Sequence, residues 1–256
     1  MRQLSRRQEK ILNILAQRGY VTVDELVTAF GVTPQTLRRD LQELAGLGLL
    51  RRHHGSASAN ISTSNVAYGE RHVEMEAEKA SIGRAAAELV QPGNSLFLTP
   101  GTTVDALARA IAARRPSGLK VITNSTVVAS ILDECPDIAI HVTGGRWMRH
   151  NRSMSGAATV AQVGDYRCDL CLTSIGGIAP DGTLLEYRDD DVVVGRAMLA
   201  NARHTVLLAD HTKFSRIATC RLGHLRDVGT FVTDRRPAAP AMRVIRESGC
   251  SLIVAR

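Results

Sequence analysis

"VTPQTLRRDLQEL", residues 32–44, sets three leucines on one side of a predicted helix and a polar, basic set on the other. Leu37, Leu41 and Leu44 fall at the spacing of an apolar helical stripe, while Gln35, Arg38, Arg39 and Gln42 face away from it. Thr33 can cap this helix through its side-chain oxygen, and Pro34 suits the first helical position because its missing N–H had no partner to lose. Gln and Arg, which can hydrogen-bond base edges, lie in the first two turns, where a helix entering the major groove presents them. A solvated helix face has the same composition, so the neighbouring segments decide.

Upstream, Ile11, Ile14 and Leu15 predict a helix over residues 5–18 that stops at Gly19. Thr22 and Glu25 form a capping-box pattern ahead of Leu26, Val27 and Phe30, and Gly31 breaks that short helix. Downstream, Gly46 and Gly48 interrupt the third helix, and Leu49–His53 followed by Gly55 predicts a basic hairpin strand. This is the layout of a winged helix-turn-helix over residues 1–57: one helix braces, the next crosses the DNA backbone, the third reads the groove. Residues 1–60 carry nine basic residues against five acids, +4 of the total net charge of +7. A free Gln/Arg face in such a segment points to DNA contact.

The chain has 256 residues, more than one typical domain, and 44% hydrophobic content, ample for a second core. Its start lacks the apolar stretch of a signal peptide and no run is long enough to span a bilayer, which predicts a cytoplasmic protein. Five cysteines do not make a disulfide framework. The C-x-x-C pair Cys168 and Cys171 reads as core of a buried strand, since no second pair or His set completes a zinc site. His141, His150, His204 and His211 are not at metal-ligand spacing, so neither a metal nor a cofactor is expected.

Residues 56–76, "SASANISTSNVAYGERHVEME", are small and polar, and 58–76 reads as a linker. A second domain over 77–256 alternates apolar runs with helical stretches. Strands are predicted at Ser95–Leu98, Leu119–Ile122, Ile138–Val142, Leu170–Ser174, Thr205–Ala209, Thr230–Val232 and Ser251–Val254, with helices at Ala77–Val90, Val104–Ala113 and Val127–Asp133 among them. Such alternation predicts an α/β domain with a largely parallel sheet. In open α/β sheets the ligand crevice lies beyond the carboxyl ends of the strands. There the chain has "TPGTT" (99–103), "TNSTV" (123–127), "TGGRW" (143–147), "TSIGG" (173–177) and "DHTKFSR" (210–216). Helix starts with free N–H groups, glycines that permit close approach, and Lys213 together describe an anion pocket for a small phosphorylated molecule. No nucleotide-binding glycine loop occurs. The run Asp189–Asp191 reads as a solvated loop or, otherwise, as part of the pocket mouth.

The segment "VTPQTLRRDLQELAGLGLLRRHHGSA" resembles the N-terminal signature of the DeoR family of bacterial transcriptional regulators, and "TPGTT", "VITNS", "VTGGRW" and "LLADHTKFSR" resemble its sugar-phosphate-sensing domain. The resemblance implies a winged helix-turn-helix joined to an effector domain with a sugar-phosphate-isomerase-like α/β fold. It also implies a homo-oligomer, dimer or tetramer, that represses transcription from operator DNA. Residues implied in DNA contact are Pro34, Gln35, Thr36, Arg38 and Arg39, with Arg51, Arg52 and His54 in the wing. Phosphate contact is implied for Gly101, Thr102, Thr103 and Lys213, with Asn124, Gly144 and Gly145 nearby. "RHHGSA", "DGTLLEY" and "ADHTKFSR" look most like the branch that controls glycerol and glycerol-phosphate genes and releases DNA on binding glycerol 3-phosphate. This chain departs from the family pattern at Gly55-Ser56-Ala57 in the wing and at Thr99-Pro100, where an acid often precedes the Gly-Thr-Thr loop. The competing readings are a regulator of another sugar-phosphate regulon, a DNA binder without ligand response, and an isomerase using Asp210, His211 and Lys213. The last lacks an acid at the first loop and leaves the helix-turn-helix without a role.

Overall fold

The computed structural model describes residues 4–18, 20–47, 49–53, 56–59, 71, 75–216 and 218–256. Three helices open the chain: α1 (Arg6–Arg18), α2 (Val23–Phe30) and α3 (Pro34–Gly46). Strands β1 (Tyr20–Thr22), β2 (Leu50–His53) and β3 (Ser56–Ala59) form an antiparallel sheet in the order β1-β3-β2. The leucine stripe is the core: Leu37, Leu41 and Leu44 are buried with Ile11, Leu15 and Leu26. The helix starts follow the sequence signals. Glu25 donates its N–H to Thr22 Oγ1 while its carboxylate accepts the Thr22 N–H, a complete capping box. Thr33 Oγ1 accepts the Thr36 N–H, with Pro34 in the first turn. Strand β3 runs to Ala59, two residues into the stretch read as linker, because the wing needs a return strand to pair with β2. Gly19, Gly48, His54 and Gly55 lie outside the described residues.

The second domain contains β4 (Ser95–Leu98), β5 (Leu119–Thr123), β6 (Ile138–Val142), the hairpin β7 (Arg146–Met148) and β8 (Ser153–Ser155), and β9 (Cys168–Ser174). Then come β10 (Gly177–Ile178), β11 (Thr183–Glu186), β12 (Ala202–Leu208), β13 (Cys220–His224), β14 (Thr230–Thr233) and β15 (Ser251–Val254). Its helices are α4 (Glu76–Ala87), α5 (Thr102–Arg114), α6 (Thr126–Leu132), α7 (Ala157–Gly164), α8 (Asp189–Ala200) and α9 (Ala239–Ser248). Seven strands form one sheet in the order β15-β14-β12-β9-β4-β5-β6, every neighbouring pair parallel. These are the seven runs read as strands.

Alternation along each strand divides the core. Leu96, Leu98 and Val121 pack with Ile82, Leu107 and Ile111 from α4 and α5. Phe97, Ile122 and Cys171 pack on the other face with Val163, Val194 and Met198 from α7 and α8. Cys168 and Cys171 are buried in β9, and burial pushes both thiols up, Cys168 to about 11. The chain runs outward from β4 to β5 and β6, then returns to the other side of β4 as β9. That reversal opens a crevice beyond the carboxyl ends of β4 and β9. Among the described residues no helix is long and apolar enough to cross a membrane.

Candidate functional site

Two surfaces gather the side chains that the sequence analysis singles out. The first is the outer face of α3, where Pro34, Gln35, Arg38 and Arg39 are exposed and Thr36 is half-buried beside Thr33. The face is held from behind by charge. Arg7 on α1 grips the buried Asp40 carboxylate through two nitrogens, at 2.5 and 3.2 Å, and Gln8 Nε2 donates to Glu43 at 3.0 Å. Asp40 and Glu43 therefore fix the recognition face instead of joining it, which the stripe alone did not reveal. Arg39 reaches back to Glu43 at 3.4 Å across one helical turn. Arg51 and Arg52 occupy β2 opposite Ser58 and Ala57.

The second surface is a small cleft at the switch point. Pro100, Gly101, Thr102 and Thr103 after β4 form one wall, and Ser174, Ile175 and Gly176 after β9 form the other. Gly101 is the N-cap of α5 with φ 148° and no side chain to cap the helix, so the first-turn N–H groups open on the cleft. A Cβ at Gly101 would stand 2.2 Å from Ser174 Oγ, so only glycine lets the two strand ends approach this closely.

Lys213 and Arg216 enter from the short helix His211–Ser215 and its end, and Asp210 precedes them. Burial pushes the Lys213 ammonium down to about 8, with Asp210 pulling it back up and Arg216 adding to the depression. Burial alone would raise the Asp210 carboxyl, but Lys213 and the hydrogen bonds from Thr212 hold it below its ordinary value. Glu186, at the end of β11, is raised to about 7 by burial and by Asp191. It accepts the Gly176 N–H at 3.0 Å and the Tyr187 N–H at 3.3 Å.

The remaining wall comes from the chain entering the domain: Arg71, Met75 and Lys79. Arg71 donates to the His150 carbonyl at 3.0 Å and to Asn151 Oδ1 at 2.8 Å, and Lys79 Nζ donates to the Arg71 carbonyl. Met75, at the start of α4, is held at φ 56°.

Of the residues implied for the effector, Gly101, Thr102, Thr103 and Lys213 converge on this cleft. Asn124 lines an adjoining chamber. Gly144 and Gly145 line neither. The Gly144 N–H donates to Gln162, its carbonyl accepts from Thr159, and a Cβ on Gly145, φ 146°, would lie 2.1 Å from Thr159 Oγ1. These glycines seat the β7–β8 hairpin on α7; it is Asn151, in the hairpin's turn, that reaches the cleft. His211 turns away to Asp234, at 2.8 Å, so Asp210, His211 and Lys213 do not converge as an acid–base set. Asp189–Asp191 form the first turn of α8, with Asp190 on Arg146 and Asp191 on His150; the mouth-lining alternative describes Asp191. Arg71, Lys79, Ser174, Glu186 and Arg216 were missed as site residues. Glu186 and Arg216 lay inside motifs already quoted, whereas Arg71 and Lys79 carried no local signal.

Residues 7–63 match the DeoR-like helix-turn-helix domain and residues 74–235 the DeoR C-terminal sensor domain. The chain is 37% identical over 248 residues to the HTH-type transcriptional repressor CsqR of Escherichia coli, covering 97% of this chain and 94% of that one. It is 39% identical over 233 residues to the glycerol-3-phosphate regulon repressor of Haemophilus influenzae, covering 91% and 90%. The full-length sorbitol operon regulator SorC from Klebsiella pneumoniae aligns over 93% of this chain and 97% of its own at 15% identity, with a TM-score of 0.44. With both halves matched and relatives aligned over nearly its whole length, the chain belongs to the DeoR family, as a transcriptional repressor with a helix-turn-helix domain and a sensor domain.

Proposed function

We propose that this repressor holds operator DNA through α3 and the wing and releases it when a small phosphorylated polyol or sugar fills the cleft beyond β4 and β9. Pro34, Gln35, Thr36, Arg38 and Arg39 meet base edges and adjacent phosphates, while Arg51, Arg52 and His54 reach the backbone from the wing. The division is a DNA-binding unit that ends with the wing strand β3 (Ser56–Ala59), a linker, and a sensor from α4 (Glu76–Ala87) onward, in a homo-oligomer on a near-palindromic site. Glycerol 3-phosphate is the first candidate effector, supported by the 39% identity to a glycerol-3-phosphate regulon repressor. CsqR, at 37% identity, keeps another phosphorylated sugar as the alternative.

The observation that carries this reading is the convergence of Lys79, Lys213, Arg71 and Arg216 with the uncapped N-terminus of α5 on one cleft. Four cations and a helix dipole face two carboxylates, an imbalance that a phosphate dianion corrects. The test is thermal unfolding of the full chain with glycerol 3-phosphate, glycerol, sugar phosphates and inorganic phosphate, followed by titration of upstream genomic DNA with each binder. A ligand at a hundredfold excess over its dissociation constant stabilises the native state by about 2.7 kcal/mol. Binding that leaves the DNA complex intact would refute release as the response.

A further inference from the structure

The short helix His211–Ser215 does more than carry Lys213 into the cleft: α1, the first helix of the DNA-binding domain, packs against it. We infer that this contact is the joint between the two domains. Docked on the short helix, α1 holds the helix-turn-helix in one position on the sensor, and occupancy of the cleft sets how well it docks. This rests on the reading of the cleft as a phosphate site and names the surface through which the response leaves it.

On the sensor side the short helix is anchored at several points. The His211 N–H donates to one oxygen of Asp234 at 2.7 Å, and His211 Nδ1 lies 2.8 Å from the other. Phe214 packs edge-on against Phe231 of the core, with ring centroids 5.9 Å apart. The far end abuts β10, where a Cβ on Gly177 would stand 2.3 Å from the Arg216 carbonyl oxygen. Asp210 caps the helix by accepting the Thr212 N–H at 2.9 Å, and Arg216 is the residue that ends it. A phosphate that recruits Lys213 and Arg216 therefore redistributes the charges at both ends of an element pinned to the core. Packed elements shift as units, so the adjustment falls on the side that meets α1.

On the DNA side, α1 and α3 move together. Arg7 and Gln8 of α1 hold Asp40 and Glu43 of α3, and Ile11 and Leu15 share one core with Leu37, Leu41 and Leu44. A displacement of α1 thus leaves the reading face intact and changes where it is presented. Two such faces in an oligomer must stand about one turn of DNA apart, so a change in presentation weakens operator binding without altering any base contact inside a half-site. Coupling of this kind is reciprocal: DNA that fixes α1 must act on the short helix in return.

The test is hydrogen-exchange mass spectrometry on the full chain, alone and with inorganic phosphate, glycerol 3-phosphate, glucose 6-phosphate or upstream genomic duplex, the last at low salt so that it binds. A phosphate compound that binds should change exchange at least threefold in residues 211–216 and, with no DNA present, in α1 as well. Duplex with no phosphate present should change residues 211–216 at least threefold, although the proposed function keeps them off the DNA. A phosphate compound that changes 211–216 and leaves α1 as it was would overturn the inference while the proposed site stands. Duplex that protects α3 and leaves 211–216 as they were would overturn it equally. If none of the three phosphate compounds binds, the phosphate reading falls, and the duplex arm alone decides whether α1 and the short helix are coupled.

Discussion

Replacing Lys213 with methionine keeps the unbranched stem and deletes the charge at the centre of the proposed phosphate site. Lys213 faces Asp210, Arg216, Glu186 and Lys79. Without it, Asp210 keeps the Thr212 N–H and hydroxyl as partners and Arg216 as a nearby charge, so the short helix should hold. A hydrogen bond to a charged group contributes about 1.5–3 kcal/mol when its partner is removed. At about 1.4 kcal/mol per tenfold, the dissociation constant for glycerol 3-phosphate should rise roughly 10- to 100-fold. The wild-type pH profile tests the same contact independently. Burial lowers the ammonium to about 8, so it is charged at pH 7 and loses its proton as pH rises through that value. Phosphate selects the charged form. Wild-type affinity should therefore be full near pH 7 and fall by up to about tenfold per unit above pH 8, whereas Lys213→Met should show no such decline there. Calorimetry on the full chain between pH 7 and 9.5 reads both effects. A variant within twofold of wild type, or a wild-type profile flat across that window, would refute the role given to Lys213.

Arg39→Ala should lower specific operator affinity by about 1–3 kcal/mol if its guanidinium pairs with a base, and an unchanged ratio of specific to non-specific binding at fixed salt would count against it. Arg51→Ala should weaken binding to every sequence and flatten the salt dependence by about one unit, read from anisotropy titrations over a salt series. Asp40→Ala removes the buried carboxylate that Arg7 grips. It should cost about 1.5 kcal/mol, near the low end because Arg7 is partly exposed and can hydrate, with faster amide exchange confined to α1 and α3. Gly101→Ala forces a side chain onto φ 148° and within 2.2 Å of Ser174 Oγ. Strain of about 1–3 kcal/mol should lower thermal stability and weaken phosphate binding at least tenfold, and an alanine variant with wild-type affinity would show that the close approach is dispensable.

The seven-stranded sheet was legible because parallel strands buried on both faces are written as short, nearly unbroken apolar runs. Leu96-Phe97-Leu98 is such a run, and its alternate burial in two core clusters follows from strand geometry alone. The β7–β8 hairpin was not legible: each strand has three residues, and "RHNR" between them has no apolar period. The same limit divides the cleft. Gly101, Thr102, Thr103 and Lys213 could be found because strand-to-helix turns carry their own chemistry. Ser174 lay in the quoted turn "TSIGG" without being singled out, and Glu186 could not be placed, because only the packing of β11 brings it to those turns. Gly144 and Gly145 mark the converse error. A glycine pair at a strand end serves equally for ligand approach and for tight packing, and only the position of Thr159 shows which holds here.

Under the proposed function, release of DNA requires an effector that favours one arrangement of the chain over another, since equal affinity for both shifts nothing. The composition of the cleft bears on where that difference arises. Three of its lining residues come from the entry to the sensor domain: Arg71 and Met75 fall within the stretch read as linker, and Lys79 lies in the first turn of α4. Arg71 is held by the His150 carbonyl and Asn151, and His150 is held in turn by Asp191. On the proposed function, a phosphate in the cleft competes for the Arg71 guanidinium. That competition acts on a chain of contacts, Asp191 to His150 to Arg71, that ends at the segment leading back to the helix-turn-helix. A rigid cleft remote from that segment and from α1 would bind phosphate equally well and have no means of changing how α3 meets DNA.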